Sequence, residues 1–163
     1  MTQATVASFQ PVARKEYLDR LAALPPRPVV TAELWTQVHD EVQEQFVLLE
    51  TEVRRRVAGI RVAAGRTKGD KFLLFSYRTF SLPDSDLDPV VVGMTFTPAH
   101  QGVTVEADVS GEQTGDRISS VPSKTVANSS EELLAAARES ARKLCQSAEA
   151  IAAALTDPSR RVE

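Results

Sequence analysis

The sequence predicts an α+β protein in which a meander of antiparallel strands packs with helices. An apolar stripe of helical period follows residue 31, alternating apolar residues fill the middle of the chain, and a second helical stripe begins near residue 129. Short turns separate the alternating segments, so we expect consecutive strands to be neighbours in one sheet. The 163 residues are enough to bury a core, and we expect a single domain over residues 1–163, with flexible ends over 1–8 and 157–163.

A short first helix is predicted over about residues 11–24. Pro11 suits its first turn, because the N–H that proline lacks would have no helical partner there. The helix has an apolar side formed by Val12, Tyr17, Leu18, Leu21 and Leu24. The proline-rich run 25–28 ends the helix and forms a stiff, extended spacer.

A long second helix is predicted over about residues 31–60, with Thr31 as its N-cap. Its stripe consists of Trp35, Val38, Val42, Phe46, Leu49, Val53, Val57 and Ile60. The mean spacing of about 3.6 residues is the period of an α-helix. Gly59 leaves the end open: the helix continues toward Ala64, or residues 60–64 begin a strand. We expect the helix to end between residues 58 and 64.

Three to four strands follow, over about residues 71–82, 89–97, 102–110 and 116–122. The third strand has the clearest alternation, with valines and Ala107 on one face and polar residues on the other. The fourth strand is weak, and Pro122 places it at an edge of the sheet.

A C-terminal helix is predicted over about residues 129–156. Ser129 and Glu132 match the S-x-x-E capping box, and Pro158 stops the helix. Its stripe consists of Leu134, Ala137, Ala141, Leu144, Ala148, Ile151 and Leu155.

Charge is segregated along the second helix and the segment after it. Every charged residue from Glu33 to Glu52 is acidic, and those from Arg54 to Lys71 are basic except Asp70. The helix dipole favours this direction of polarity, so polarity alone indicates no function. A helix reaching Ala64 would be about 50 Å long and would overhang a domain of this size, so the excess stripe would need cover from a second chain. The acid-then-base order would then suit antiparallel self-pairing.

The sequence contains no pattern typical of catalysis or metal binding, and we expect no cofactor. His39 and His100 belong to no local catalytic motif, and the spacing of Cys145 predicts a buried, inert thiol. The run from Asp84 to Asp88 has the alternating carboxylates of a calcium loop but lacks its glycine and its final glutamate.

We therefore expect a non-catalytic protein-binding module, such as a small chaperone, an inhibitor or an immunity-type protein, that forms a homodimer. Two charged surfaces are the candidate protein-binding sites: Glu106 and Asp108 on the third strand, and Arg54, Arg55, Arg61 and Arg66 in the basic segment. One alternative is nucleic-acid binding through residues 54–71. Another is a small-ligand binder or enzyme with a pocket between the sheet and the helices. The lone cysteine, the absence of a signal-peptide pattern and the absence of a membrane-spanning segment indicate a cytoplasmic protein with no membrane partner.

Overall fold

The computed structural model describes residues 31–67, 73–100, 102–127 and 129–162. The helix predicted over about residues 11–24 lies outside the described residues. The elements in chain order are α1 (Ala32–Arg56), β1 (Arg61–Thr67), β2 (Leu74–Ser81), β3 (Val90–Ala99), β4 (Gly102–Gly111), β5 (Arg117–Val126), α2 (Ser130–Leu144) and α3 (Ala148–Leu155). Short 3₁₀ turns occupy Cys145–Ser147 and Pro158–Arg160.

The strands form one antiparallel sheet in the order β1-β2-β3-β4-β5. The α+β class and the meander are confirmed, but the sheet has five strands where the sequence predicted three to four. The additional strand is β1, which arises from the segment that the helical pattern left ambiguous.

α1 ends at Arg56, earlier than the expected range of 58 to 64. Val57 is already extended, with φ −134° and ψ 113°, and Gly59 turns the chain with φ +77°. The strand alternative for residues 60–64 is therefore the correct one. Val57 and Ile60 are both buried, so their spacing extends the apolar stripe of the helix. Both lie after the end of α1, in the turn into β1.

The corrected end of α1 removes the argument from helix length. Its 25 residues span about 37 Å at 1.5 Å per residue, which fits within a domain of this size. A homodimer remains a prediction, but it needs support other than an overhanging stripe.

The predicted C-terminal helix over about 129–156 is divided into α2 and α3 by the 3₁₀ turn Cys145–Ser147. Ser129 caps α2, since its hydroxyl accepts a hydrogen bond from the Glu132 N–H at 3.3 Å. At the break, the Ser147 hydroxyl donates to the Ser119 hydroxyl of β5 at 2.9 Å. This contact attaches the helical segment to the last strand of the sheet.

One face of the sheet, here called the inner face, packs against α1, α2 and α3. Phe46, Phe80 and Phe96 have no exposed surface, and the Trp35 and Phe96 rings lie 5.9 Å apart. Side chains of the three helices and the inner face form one continuous core. The opposite face, here called the outer face, carries the side chains that alternate with these.

The end of the chain contacts the segment before β3. The Asp88 N–H donates to the Arg160 carbonyl at 3.0 Å, and the Val162 N–H donates to the Asp86 carbonyl at 2.8 Å. These bonds hold residues 160–162, within the predicted flexible end 157–163, against residues 86–88.

Candidate functional site

The acidic pair, Glu106 and Asp108, lies on the outer face of β4. Its neighbours Val105, Ala107 and Val109 point into the core, as the alternation in the sequence indicates. Glu106 is exposed and lies opposite Thr95 of β3. Asp108 is half-buried and lies between Gly93 of β3 and Ser120 of β5. The two carboxylates therefore occupy adjacent outward positions on β4, the strand next to the β5 edge of the sheet.

A break in the pairing of β4 with β5 makes the surface beside the acidic pair concave. The register shifts between Val105 and Ala107, which is typical of a β-bulge. The pocket here has a volume of about 280 Å³. It is lined by Glu106, Ala107, Asp108, Arg117, Ser120, Val121, Pro122 and Ser123.

The Asp108 carboxyl is held in an unfavourable environment for its charge. Burial raises the pKa of Asp108, the neighbouring Arg117 lowers it, and Glu106 raises it again, so that the net shift is upward. Among the described residues we find no hydrogen-bond donor to this carboxylate. Its charged form is therefore poorly compensated by the protein itself.

Two aromatic rings lie on the outer face beside the acidic pair. The Phe75 and Tyr77 rings are stacked, with centroids 5.3 Å apart and an interplanar angle of 19°. The Phe75 ring covers Gly93, where an added Cβ would lie 2.5 Å from the ring. The Tyr77 side chain covers Gly65, where an added Cβ would lie 2.6 Å from the hydroxyl oxygen and 2.9 Å from the ring carbon that carries it. Because Gly93 is the pairing partner of Asp108, the aromatic surface adjoins the acidic pair.

The arginines at the end of α1 are paired within the helix. Arg54 contacts Glu50 at 3.1 Å and also donates to the Ile60 carbonyl at 3.1 Å. Arg55 and Arg56 contact the two oxygens of Glu52 at 2.9 Å and 3.1 Å. The acidic and basic stretches of the sequence therefore partly neutralise one another inside this chain.

The two β1 arginines do not join the others in a single patch. Arg61 begins β1, next to the Ile60 carbonyl that Arg54 contacts, so these two lie near each other. Arg66 is at the other end of β1, about 17 Å away by strand rise, where it donates to the Thr36 hydroxyl at 3.0 Å. The basic candidates are thus distributed along an edge of the molecule.

A buried polar network between α1 and β2 was not found by sequence reasoning. Ser76 and Arg78 point toward α1 from the inner face and are buried. Arg78 donates to the Gln43 amide oxygen at 2.7 Å and to Glu50 at 3.2 Å, and His39 contacts Ser76 at 2.8 Å. The signal was the alternation of Ser76 and Arg78 with two aromatic residues in a strand flanked by apolar positions.

The cysteine and the aspartate run that the sequence offered as chemically reactive or metal-binding candidates make contacts that stabilise the fold. The Cys145 thiol donates to the Gln45 carbonyl at 3.1 Å, and burial raises the pKa of this thiol. Asp88, the last carboxylate of the run that resembles a calcium loop, is fully buried and accepts hydrogen bonds from the β4–β5 turn. No group of three His, Cys, Asp or Glu residues is arranged for a metal ion in the described part of the chain.

Comparison with protein-family models, with curated proteins and with solved structures found no match to this chain. Within the described ranges, no helix combines the length and the apolar character that a membrane crossing requires.

Proposed function

We propose that this protein is a non-catalytic protein-binding module that functions as a homodimer and binds a basic segment of a partner through the outer face of its sheet. The acidic pair, Glu106 and Asp108, is the centre of the proposed surface. The pocket at the β-bulge and the ring pair of Phe75 and Tyr77 lie on its two sides.

The observation that carries this proposal is the environment of Asp108. Burial and the like charge of Glu106 disfavour the ionised form of Asp108, and the opposing charge of Arg117 does not cancel them, so the pKa of this carboxyl is raised. Titratable groups in such surroundings are enriched at the functional sites of proteins. Arg117 compensates the charge of Asp108 only in part, and a cation from a partner would supply the rest.

The surroundings of Asp108 favour a lysine or arginine side chain as that cation. Two carboxylates and the Ser120 hydroxyl offer acceptors for an ammonium or guanidinium group, and charge-assisted bonds of this kind are the strongest that a surface makes. The flat rings of Phe75 and Tyr77 provide apolar and π surface against which the stem of a long basic side chain packs. Arg117 at the pocket wall repels a second cation there and so restricts where the first one binds.

The two alternative functions have less support. The arginines of α1 are already paired with Glu50 and Glu52, which lowers the positive potential that nucleic-acid binding through residues 54–71 would need. The interface between the sheet and the helices is filled by core side chains, among them Phe46, Phe80 and Phe96. A pocket of about 530 Å³ does lie at the border of this interface, between β5 and residues 143–150 of the helical segment. A small ligand bound there is the form in which this alternative stands.

A quantitative pull-down from a lysate of the source organism tests the sheet surface. The bait variant Glu106→Lys/Asp108→Lys reverses both charges. The control variant Glu112→Lys/Glu149→Lys makes the same change in net charge at two exposed positions, in the β4–β5 turn and on α3. We expect the wild type and the control to capture the same basic partners and the first variant to lose them. Identical captures with all three baits would contradict the proposal.

A further inference from the structure

The solvent face of α1 carries an apolar centre. Val47 is 51% exposed and Leu48 is 59% exposed, and these are the exposed large hydrophobic residues in the described part of the chain. They are adjacent in sequence, and together they cover the middle of the exposed face of α1. Together they form a small apolar patch on which a second protein surface can pack.

Charged and polar residues extend from this centre along the same face of α1. Asp40, Glu44, Thr51 and Arg55 are all exposed. They follow the spacing of three and four residues that repeats on one side of an α-helix. The acidic members precede the apolar centre, and the basic member follows it.

This order is complementary to itself when the helix is reversed. An antiparallel copy related by a two-fold axis at Val47 and Leu48 places residue i opposite residue 95 − i of the other copy. Val47 and Leu48 then meet their counterparts, Glu44 lies opposite Thr51, and Asp40 lies opposite Arg55. Unlike charges therefore meet at both ends of the contact, as a symmetric interface requires.

Other charged residues of α1 are committed to contacts within this chain. Glu41 binds Arg138 of α2 with contacts of 2.8 Å and 3.0 Å, and Arg54 is held by Glu50 and the Ile60 carbonyl. Arg55, in contrast, is 71% exposed, and within the described ranges its ion pair is with Glu52 on the surface. Exposed pairs of this type contribute little, so Arg55 can exchange Glu52 for an acidic partner across an interface.

We infer that α1 is the homodimer interface and that its occupant is α1 of a second copy, packed antiparallel across the two-fold axis at Val47 and Leu48. This inference rests on the homodimer of the proposed function and not on partner binding by the outer face. The contact is narrow, and we expect an association that depends on protein concentration in the accessible range.

Sedimentation equilibrium over a range of protein concentrations tests the interface. Leu48→Glu places like charges at the two-fold axis and is expected to raise the dimer Kd by about tenfold or more. The matched control is Ala153→Glu, which adds the same charge at an exposed position of α3 and is expected to leave the Kd unchanged. Circular dichroism and thermal unfolding check that each variant is folded.

A charge exchange tests the register. Asp40→Arg sets two arginines against each other and should weaken the dimer, whereas Asp40→Arg/Arg55→Asp restores opposite charges and should recover most of the wild-type Kd. A wild type that is monomeric at every concentration would overturn this interface and the homodimer, while leaving the pull-down result on Glu106 and Asp108 unaffected. A dimer that Leu48→Glu and Asp40→Arg leave intact would overturn this interface alone.

Discussion

The Asp88 carboxylate, which has no exposed surface, lies 3.6 Å from the Arg160 guanidinium and joins the segment before β3 to the end of the chain. The same carboxylate accepts hydrogen bonds from the Gln113 N–H at 2.8 Å and from the Thr114 N–H and hydroxyl at 3.1 Å and 2.8 Å. Arg160 also donates to the Asp88 and Ala154 carbonyls. One buried acid therefore connects three separate parts of the fold.

Removing Arg160 should destabilise the protein strongly. Arg160→Ala leaves the Asp88 charge buried without its cation, and breaking a buried pair in this way costs about 3 kcal/mol or more of the free energy of unfolding. The matched control is Arg161→Ala, because the pair of Arg161 with Asp86 is 69% and 58% exposed. We expect the control to cost less than about 1 kcal/mol. Urea unfolding at pH 7 measures both losses. Equal losses would show that the buried pair contributes no more to the free energy of unfolding than the exposed pair does.

The stability contributed by Asp88 should depend on pH in the acid range. Burial raises the pKa of Asp88, but the hydrogen bonds from Gln113 and Thr114 and the charge of Arg160 lower it more, so the folded-state pKa lies below 3.8. The contribution is therefore present above pH 3.8 and is lost as the pH falls through the lower folded value. Urea unfolding of wild type and Asp88→Asn should differ most at pH 7 and converge at the lowest pH. A constant difference would refute this linkage.

A second pH dependence is expected from His39. Because Arg78 donates to the Gln43 amide oxygen, the Gln43 amide nitrogen donates to Ser76, which leaves the Ser76 proton for Nδ1 of a neutral His39. Burial lowers the pKa of His39, Arg66 and Arg78 lower it further, and Asp40 opposes them. The unfolded state thus binds the proton more tightly, and stability is lost as the pH falls below about 6.5.

The variant His39→Gln should reduce the loss of stability between pH 8 and pH 5, as measured by urea unfolding. His100→Gln is the control, because His100 is exposed in the turn after β3. We expect that control to follow the wild-type profile. The same slope in wild type and His39→Gln would assign the pH dependence to other groups.

The sequence was informative where one pattern dominated and misleading where two overlapped. The alternation of β4 placed Glu106 and Asp108 on the outer face. The spacing of Val57 and Ile60 is compatible with a helix as well as with a turn into a strand, and the backbone decides between them through the extended Val57 and the positive φ of Gly59. The burial of Asp88 could not be predicted, because its partner Arg160 is 72 residues away and no local pattern records such a contact.

The effect of Gly93→Ala on the free energy of unfolding should change sign according to whether the Phe75 ring is present. Gly93→Ala would bring a Cβ to 2.5 Å from the Phe75 ring, so the ring must shift and we expect a loss of about 1–3 kcal/mol. When Phe75→Ala has removed the ring, the same change should stabilise the strand by about 0.5–1 kcal/mol, because alanine loses less backbone entropy than glycine. Thermal or urea unfolding of the four proteins of this cycle measures both values. Additive effects would show that Phe75 does not restrict Gly93.

Asp108 should reduce stability at neutral pH, because a raised pKa means that its ionised form is disfavoured in the folded state. The cost is absent below the ordinary value of 3.8 and develops as the pH rises through the higher folded value. Asp108→Asn should therefore raise the free energy of unfolding at pH 7 and have little effect at the lowest pH, the opposite of Asp88→Asn. Glu112→Gln, at an exposed position of the β4–β5 turn, is the control for loss of one negative charge.

If Asp108→Asn stabilises the protein while it weakens capture of basic partners, the carboxylate is retained for binding at the expense of stability. If it destabilises the protein at pH 7, Asp108 has a structural role and the main support for the proposed binding surface is lost.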